Sequence, residues 1–188
     1  MVTLIDECII EVSRMTCIPL AKLQNDAVVC FDRQVTPHVI LNSRKYEVPN
    51  KACKLLVATL QQTKYHVKTA LGVSTTSYKS TPEYPHYGQW QSSGHAGITW
   101  LFESTPMMIT IEKTCTGLDI ISPDHSLSYT LHSIGLVDDK RHYANDWKDN
   151  SEQTICDNLQ TATSSWEKIL HTSGGALEIS KWAWYLIT

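Results

Sequence analysis

The chain has 188 residues, 42% of them hydrophobic and 19% charged, which is the composition of an ordinary globular protein with one core or a large part of one. No apolar run approaches the roughly 18 residues that a membrane span needs, and the net charge of −3 gives no overall attraction for nucleic acid. Acidic residues near the N-terminus, where a secretory signal carries positive charge, favour an intracellular location, cytoplasmic or nuclear, with no membrane partner.

Charge is distributed unevenly along the chain. Residues 1–32 sum to −3, residues 33–79 to +7 and residues 80–188 to −7. A basic segment between acidic flanks predicts contact with a phosphate backbone, although lysines that only solvate helix faces would give the same pattern. The basic residues that we expect to bind nucleic acid are Arg44, Lys45, Lys51, Lys54, Lys64 and Lys68.

Hydrophobic periodicity predicts the elements of the first half. Residues 4–15 suit a short amphipathic helix, and residues 27–31 form an apolar run that reads as a buried strand between Asp26 and Asp32. Asn50 can cap a helix that extends to Gln62. A strand over 65–73 and an irregular segment over 74–93 complete this half.

The second half contains a short helix over 94–102, a hairpin and a long helix. Residues 127–137 and 141–147 are the two hairpin strands, and the tip carries Asp138 and Asp139. The helix over 152–171 is capped by Asn150 with Gln153 and ends at Gly174-Gly175, before a last strand over 176–187. This order predicts an α+β fold, an antiparallel sheet with helices packed on one face.

Two carboxylates stand at the ends of predicted apolar strands, Asp26 and Asp138. If these strands are neighbours, the two side chains lie within a few ångströms of each other, and clustered carboxylates are stabilised by a cation between them. Carboxylate oxygens suit Mg²⁺ or Mn²⁺, and two such ions can clamp both oxygens of a phosphoryl transfer. The open alternative is turn chemistry, since an Asp-Asp pair at a hairpin tip needs no metal.

Four motifs in order carry a resemblance. Asp26-x-x-x-Cys30-Phe31-Asp32 resembles motif A of reverse transcriptases (residues 26–32), and Val137-Asp138-Asp139 resembles their motif C (135–139). Between them residues 88–100 resemble motif B, and after them residues 174–182 resemble motif D. The chain is therefore similar to the palm of a non-long-terminal-repeat-like retroelement reverse transcriptase, an RNA-directed DNA polymerase.

The resemblance implies a domain organisation and roles. A helical lead-in would occupy 1–24 and a palm-like domain 25–188, with fingers and thumb largely missing, so that the isolated chain is expected to be impaired or inactive. Asp26 and Asp138 would hold the metal ions, and Asp139 would support them. Phe31 would contact the sugar of the incoming nucleotide, and the Gln91 amide would help to place the nucleotide. Lys181 would lie near the leaving pyrophosphate. The partners would be an RNA or DNA template-primer and deoxynucleotides; no oligomeric state is indicated.

Departures from the family pattern leave other functions open. Ser92 follows Gln91 where glycine is usual, Trp182 follows Lys181, and Lys140 would place a cation beside the metal site. A non-catalytic nucleic-acid-binding remnant of a retroelement protein is the main alternative. A metal-dependent nuclease is disfavoured because no Glu or His stands beside Asp26 or Asp138, and a cysteine hydrolase because no Cys has a recognisable nucleophile context.

Overall fold

The structure is a computed structural model that describes all residues except 1, 29, 86, 90–93, 123, 138, 147 and 149–150. The helices are α1 (Val2–Thr16), α2 (Thr36–Lys45), α3 (Asn50–Gln62), α4 (Ala96–Thr114) and α5 (Glu152–Thr172). The strands are β1 (Leu20–Asp26), β2 (Lys64–Thr69), β3 (Gly72–Lys79), β4 (Leu118–Ile121), β5 (Ser128–Leu131), β6 (Ser133–Leu136), β7 (Asp139–Asn145) and β8 (Ala183–Ile187). A 3-10 turn spans Ile179–Lys181.

The chain divides into two compact units. The sheet unit comprises residues 1–30 and 104–188, and the inserted unit comprises residues 31–103. Helix α4 begins in the inserted unit and ends in the sheet unit. The sequence motifs predicted a boundary after residue 24, whereas the two units divide between residues 30 and 31 and between residues 103 and 104.

A four-stranded antiparallel sheet in the order β6-β7-β1-β8 forms the centre of the sheet unit. Helix α5 covers one face, where Ala21 and Leu23 of β1 form a buried cluster with Ile155 and Leu159. The Ser151 hydroxyl caps α5 by accepting a hydrogen bond from the Thr154 N–H. The helix ends before Gly174, which has φ +92°, a backbone conformation that glycine adopts without strain.

Helix α1 packs on the opposite face, away from α5. Ile9 joins a buried cluster with Leu20 and Tyr143, and the Asp6 carboxylate accepts hydrogen bonds from Lys22 Nζ at 2.5 Å and Tyr143 Oη at 3.0 Å. Arg141 lies 3.2 Å from the same carboxylate. Buried charges need such partners, so this ion cluster explains how a central strand can contain a lysine.

The inserted unit consists of α2, α3, the β2–β3 hairpin and the first part of α4. A close approach joins its two ends. The Gly88 N–H donates to the Gln34 carbonyl at 2.8 Å, and the Gln89 N–H donates to the Phe31 carbonyl at 2.7 Å. Gly88 has φ +90°, and a Cβ there would lie 2.2 Å from the Asp32 carbonyl oxygen, so only glycine fits this contact.

Several predicted elements are confirmed. The predicted α+β fold with antiparallel strands is observed, α5 covers one face of the sheet, and the helices predicted over 4–15, 50–62 and 152–171 are α1, α3 and α5. The predicted hairpin is confirmed in part as β6–β7, with the pair Leu136 and Asp139 closing it, whereas the first part of the strand predicted over 127–137 is β5, which pairs with β4.

Other predicted elements are wrong in position. The buried strand is Leu20–Asp26 and not 27–31, because β1 is paired on both edges and its side chains pack against α1 and α5, which hydrophobicity does not reveal. The strand predicted over 65–73 is a hairpin that turns at residues 70–71, and α4 extends twelve residues beyond 102. The last strand begins at 183, after an irregular segment.

Two predicted helix caps also need correction. Pro49 is the N-cap of α3, and Asn50 is the first helical residue. Ser151 caps α5, whereas Asn150 lies outside the described residues.

Candidate active site

The tip of the four-stranded sheet brings carboxylates of two strands together. Asp26 is the last residue of β1, Asp139 is the first residue of β7, and the two are directly opposite each other in the antiparallel register. Directly opposed residues project from the same face of a sheet, with Cα atoms about 4.5–5.5 Å apart. The strands that we expected to be neighbours are not adjacent, because the strand before position 138 is β6 and β7 lies between β6 and β1.

A C-terminal segment completes this tip. An isolated bridge pairs Ala27 with Leu177, and the Glu178 N–H donates to the Asp26 carbonyl at 2.9 Å. The chain then turns once through Ile179–Lys181, which returns the Lys181 side chain to Asp26. Lys181 Nζ forms an ion pair with Asp26 Oδ2.

The two members of this ion pair differ in their exposure to solvent. The Asp26 side chain is 13% exposed, whereas the Lys181 side chain is 64% exposed. The second carboxylate oxygen of Asp26, Oδ1, is buried and has no hydrogen-bond partner among the described residues. A buried acceptor without a partner is costly, so Asp26 retains capacity for one more cation or donor.

The hairpin that carries Asp139 is strained. Only positions 137 and 138 separate the paired residues Leu136 and Asp139, and Val137 has φ +56°. A β-branched residue is rare in this left-handed region, and such strain concentrates at functional sites. Asp138, for which we predicted a metal-binding role, lies outside the described residues.

The opposite face of the same strands holds a buried polar layer. Lys140 is 3% exposed and lies over the Trp166 ring, 4.5 Å from its centroid, while His142 beside it is fully buried. Burial lowers the pKa of Lys140 to about 8, and burial together with the Lys140 charge lowers the pKa of His142 to about 3. Asn25 is opposite Lys140, and its side-chain amide has no hydrogen-bond partner among the described residues.

This arrangement corrects the expectation that Lys140 adds a cation beside the carboxylates. Successive residues of a strand project to opposite faces, so Lys140 points towards α5 while its neighbour Asp139 points the other way. Gly135 is directly opposite Lys140, and a Cβ there would lie 2.6 Å from Lys140 Nζ, so the glycine makes room for the lysine.

The inserted unit contains the two residues predicted to contact a nucleotide. Phe31 is buried and packs edge-on against Trp100, with ring centroids 6.3 Å apart. Gln91 lies outside the described residues. The neighbouring Gln89, which the sequence did not single out, is buried and accepts a hydrogen bond from Thr99 Oγ at 2.7 Å, while its Nε2 has no partner among the described residues.

A buried carboxyl group lies on the same face of α4 as Thr99, one helical turn further on. Glu103 is 2% exposed, and neither of its oxygens has a hydrogen-bond partner within the described part of the chain. Burial raises its pKa from 4.5 to about 7. A single Glu in an apolar helix gives no sequence signal that distinguishes it from a surface residue.

The basic residues predicted to bind nucleic acid all lie in the inserted unit and are exposed. They occupy the last turn of α2, the first turns of α3 and strand β2: Arg44, Lys45, Lys51, Lys54, Lys64 and Lys68. The unit contains eight basic and four acidic residues, so its net charge is +4. An exposed positive surface of this kind attracts phosphate backbones.

Within the described residues, no group of three or more His, Cys, Asp or Glu side chains is arranged to hold a metal ion. This absence does not extend to Asp138, which lies outside the described residues. No helix in the described ranges has the length and apolar character needed to cross a membrane.

The comparisons with known proteins identify the fold. No protein-family model and no curated protein matches the chain. Apo telomerase from Candida tropicalis, truncated from its C-terminal domain, superposes with a TM-score of 0.60 at 13% identity over 98% of this chain. Telomerases from Candida tropicalis and Candida albicans, each in complex with a TWJ fragment of telomeric RNA, give TM-scores of 0.56 and 0.53 at 12% and 14% identity over 90% and 96% of this chain.

The chain spans 35%, 26% and 29% of the lengths of these telomerase chains. The chain therefore has the α+β fold of a part of these telomerases. At such low identity the likeness concerns the fold alone.

Proposed function

We propose that the chain is the palm part of an RNA-directed DNA polymerase of retroelement type, which transfers nucleotides to a primer 3′-hydroxyl. The observation that carries this proposal is the register that sets Asp26 opposite Asp139 at one end of the sheet. The reverse-transcriptase-like fold supports it, as do the similar telomerases solved with an RNA fragment. The proposed partners are an RNA or DNA template-primer and deoxynucleotides.

Asp26 and Asp138 would hold the Mg²⁺ or Mn²⁺ ions, with Asp139 as a supporting carboxylate. The buried Oδ1 of Asp26, which has no partner among the described residues, fits this role because hard cations prefer carboxylate oxygens. When bound, the ions would neutralise charge on the phosphates and lower the pKa of the attacking hydroxyl.

Lys181 would act on the leaving pyrophosphate, as a charge stabiliser or a proton donor. Its side chain is largely exposed, so it can exchange the Asp26 carboxylate for a phosphate without unfolding of the turn that carries it. Phe31 would contact the sugar of the incoming nucleotide, and Gln91 would help to place the base. Positioning and charge neutralisation supply most of the rate in such reactions.

Primer extension on an RNA template tests the proposal directly. With Mg²⁺ or Mn²⁺ and deoxynucleotides, we expect weak extension by the full chain and at least a roughly 100-fold loss in Asp26→Asn and Asp138→Asn, because each removes a metal ligand. Asp157→Asn, which alters an exposed carboxylate on α5, is the matched control and should extend normally. Undiminished extension by Asp26→Asn would contradict the assignment.

Calorimetry with Mn²⁺ tests the metal site independently of turnover. We expect binding by the unaltered chain and by Asp157→Asn, and its loss in the double variant Asp26→Ala, Asp138→Ala. Equal affinity in the double variant would reject a shared site between these carboxylates.

A second candidate is a non-catalytic nucleic-acid-binding protein that retains the fold. The ion pair between Lys181 and Asp26 favours it, since Lys181 already neutralises a carboxylate that a metal would otherwise use. This candidate predicts that Asp26→Asn leaves oligonucleotide affinity unchanged and that no extension occurs under any metal condition. The extension assay separates the two candidates, and anisotropy titration verifies that the chain binds the oligonucleotide in either case.

A further inference from the structure

The inserted unit contains an open cleft of about 550 Å³ between α2, α3 and the segment 80–87. This volume falls in the range of small-molecule sites, which are concave and mostly apolar. The walls are mainly apolar and include one aromatic ring, with side chains from both helices and the segment: Pro37, Ile40, Leu41, Val57, Leu60 and Tyr87. Leu41 and Tyr87 are 64% and 58% exposed, so the cleft leaves large apolar side chains uncovered.

Basic residues follow the helix faces that line this cleft. Residues separated by three, four or seven positions share one face of a helix. Arg44 therefore lies on the face of α2 that carries Pro37 and Ile40, and Lys54 lies on the face of α3 that carries Val57. Both are exposed.

Strands β2 and β3 add two more positive charges next to the cleft. Lys64 begins β2, three residues after the lining residue Gln61, and Lys79 ends β3, immediately before the lining residue Ser80. Lys64 and Lys79 are directly opposite each other in the hairpin, and both are exposed. Like charges at directly opposed positions destabilise a hairpin, and a bound anion removes that cost.

An apolar cleft that is lined by a tyrosine and two prolines and has cations at its edges fits single-stranded nucleic acid. Unpaired bases of a single strand stack on aromatic side chains while lysine and arginine neutralise the phosphates beside them. The polar lining groups of Thr36, Gln61 and Ser80 are of the types that hydrogen-bond to base edges.

We propose that this cleft binds an unpaired base of single-stranded nucleic acid, with Tyr87 as the stacking platform and Lys64 and Lys79 at the flanking phosphates. The proposal rests on the proposed nucleic-acid partner, and it assigns to the inserted unit a strand-holding site in addition to the carboxylate tip. The proposed site adds an apolar cleft and Lys79 to the basic surface that was predicted from the sequence.

The test uses the full chain and a labelled 12-nucleotide single strand, measured by fluorescence anisotropy. We expect Tyr87→Ala and Leu41→Ser each to weaken binding about tenfold, which corresponds to about 1.4 kcal/mol. The matched controls are Tyr84→Ala, in the same segment but outside the lining, and Leu55→Ser, an equally exposed leucine on α3. Both controls should bind as the unaltered chain does.

The ligand can be altered in parallel. An abasic position in the strand should weaken binding to the unaltered chain and should have no further effect in Tyr87→Ala, because the stacking partner is already absent. Lys64→Gln and Lys79→Gln should each make the slope of log affinity against log salt concentration shallower, by the contribution of about one phosphate contact. Glu83→Gln, which removes the one acid among residues 80–87, should tighten binding.

Specific outcomes overturn the proposal. Equal affinity of Tyr87→Ala, Leu41→Ser and their controls would exclude the cleft as a base site. If an apolar dye bound in the cleft is displaced by an acidic amphipathic helical peptide but not by the single strand, the cleft serves a protein partner instead. Asp26→Asn should retain full strand binding, so loss of extension in that variant and loss of binding in Tyr87→Ala report separately on the two proposals.

Discussion

Replacement of Lys140 by methionine should make the protein more stable at neutral pH. Burial lowers the pKa of Lys140 from 10.5 to about 8, which corresponds to about 3 kcal/mol of cost for keeping the ammonium charged in the fold. The cation–π contact with Trp166 returns roughly 1 kcal/mol of this cost. Methionine has a similar length and no charge, so we expect Lys140→Met to raise the free energy of unfolding by about 2 kcal/mol at pH 7.

The effect of Lys140→Met on stability should depend on pH, because the Lys140 pKa differs between the folded and the unfolded chain. Between about pH 8 and 10.5 the unfolded chain holds the Lys140 proton while the folded chain releases it, so stability of the unaltered chain rises with pH through that window. The advantage of Lys140→Met should therefore shrink from pH 7 to pH 10, as measured by urea unfolding. Lys168→Met, an exposed lysine of α5, is the control and should change stability little at either pH. Destabilisation by Lys140→Met at pH 7 would refute the reasoning, because it would mean that the ammonium has a counter-charge.

Three further changes test other features by urea or thermal unfolding. Val137→Gly should stabilise the fold by about 1 kcal/mol, because glycine adopts φ +56° without strain and the valine is 43% exposed; an unchanged midpoint would contradict strain at the hairpin tip. Glu103→Gln should stabilise by up to about 3 kcal/mol at pH 8 and by little at pH 4.5, since stability of the unaltered chain falls as pH rises from 4.5 to 7; equal gains at both pH values would count against a buried carboxyl. Gly88→Ala should destabilise by roughly 3 kcal/mol through its clash with Asp32, whereas Gly97→Ala, which has open space, should not.

The sequence predicted those elements whose hydrophobic pattern matches their burial. Helix α5 has a regular apolar face, and its residues Ile155 and Leu159 are buried as the periodicity requires. The β6–β7 hairpin was predicted with its acidic tip, although the alternating residues 127–131 belong to β5, which pairs with β4. Local chemistry and tertiary packing agree at these positions.

Strand β1 was missed because tertiary contacts override its polar composition. Lys22 is buried only because Asp6, far away in α1, supplies a counter-charge, and Asn25 and Asp26 are buried by pairing with β7 and with the C-terminal segment. No local pattern contains this information. The apolar run 27–31 that replaced it in the prediction contributes the buried residues Ala27, Cys30 and Phe31 from a turn rather than from a strand.

The candidate site was predicted in part. Asp26, Asp139 and Lys181 were chosen from a resemblance, and the structure brings these three positions of the chain to one end of the sheet. Which face Lys140 occupies could not be read from the motif alone, since it depends on the register of β1 against β7. The apolar cleft was missed altogether, because its walls come from three segments whose individual patterns are ordinary.

The alternation along β1 has a consequence for how the chain tolerates change. Asn25 faces the α5 layer and Asp26 faces the opposite side of the sheet, so a one-residue insertion or deletion within Leu20–Asp26 would exchange them. The carboxylate would then lie beneath α5 next to Lys140, while an amide took its former position. Evolution can therefore vary individual side chains of this strand more freely than it can vary the strand's length.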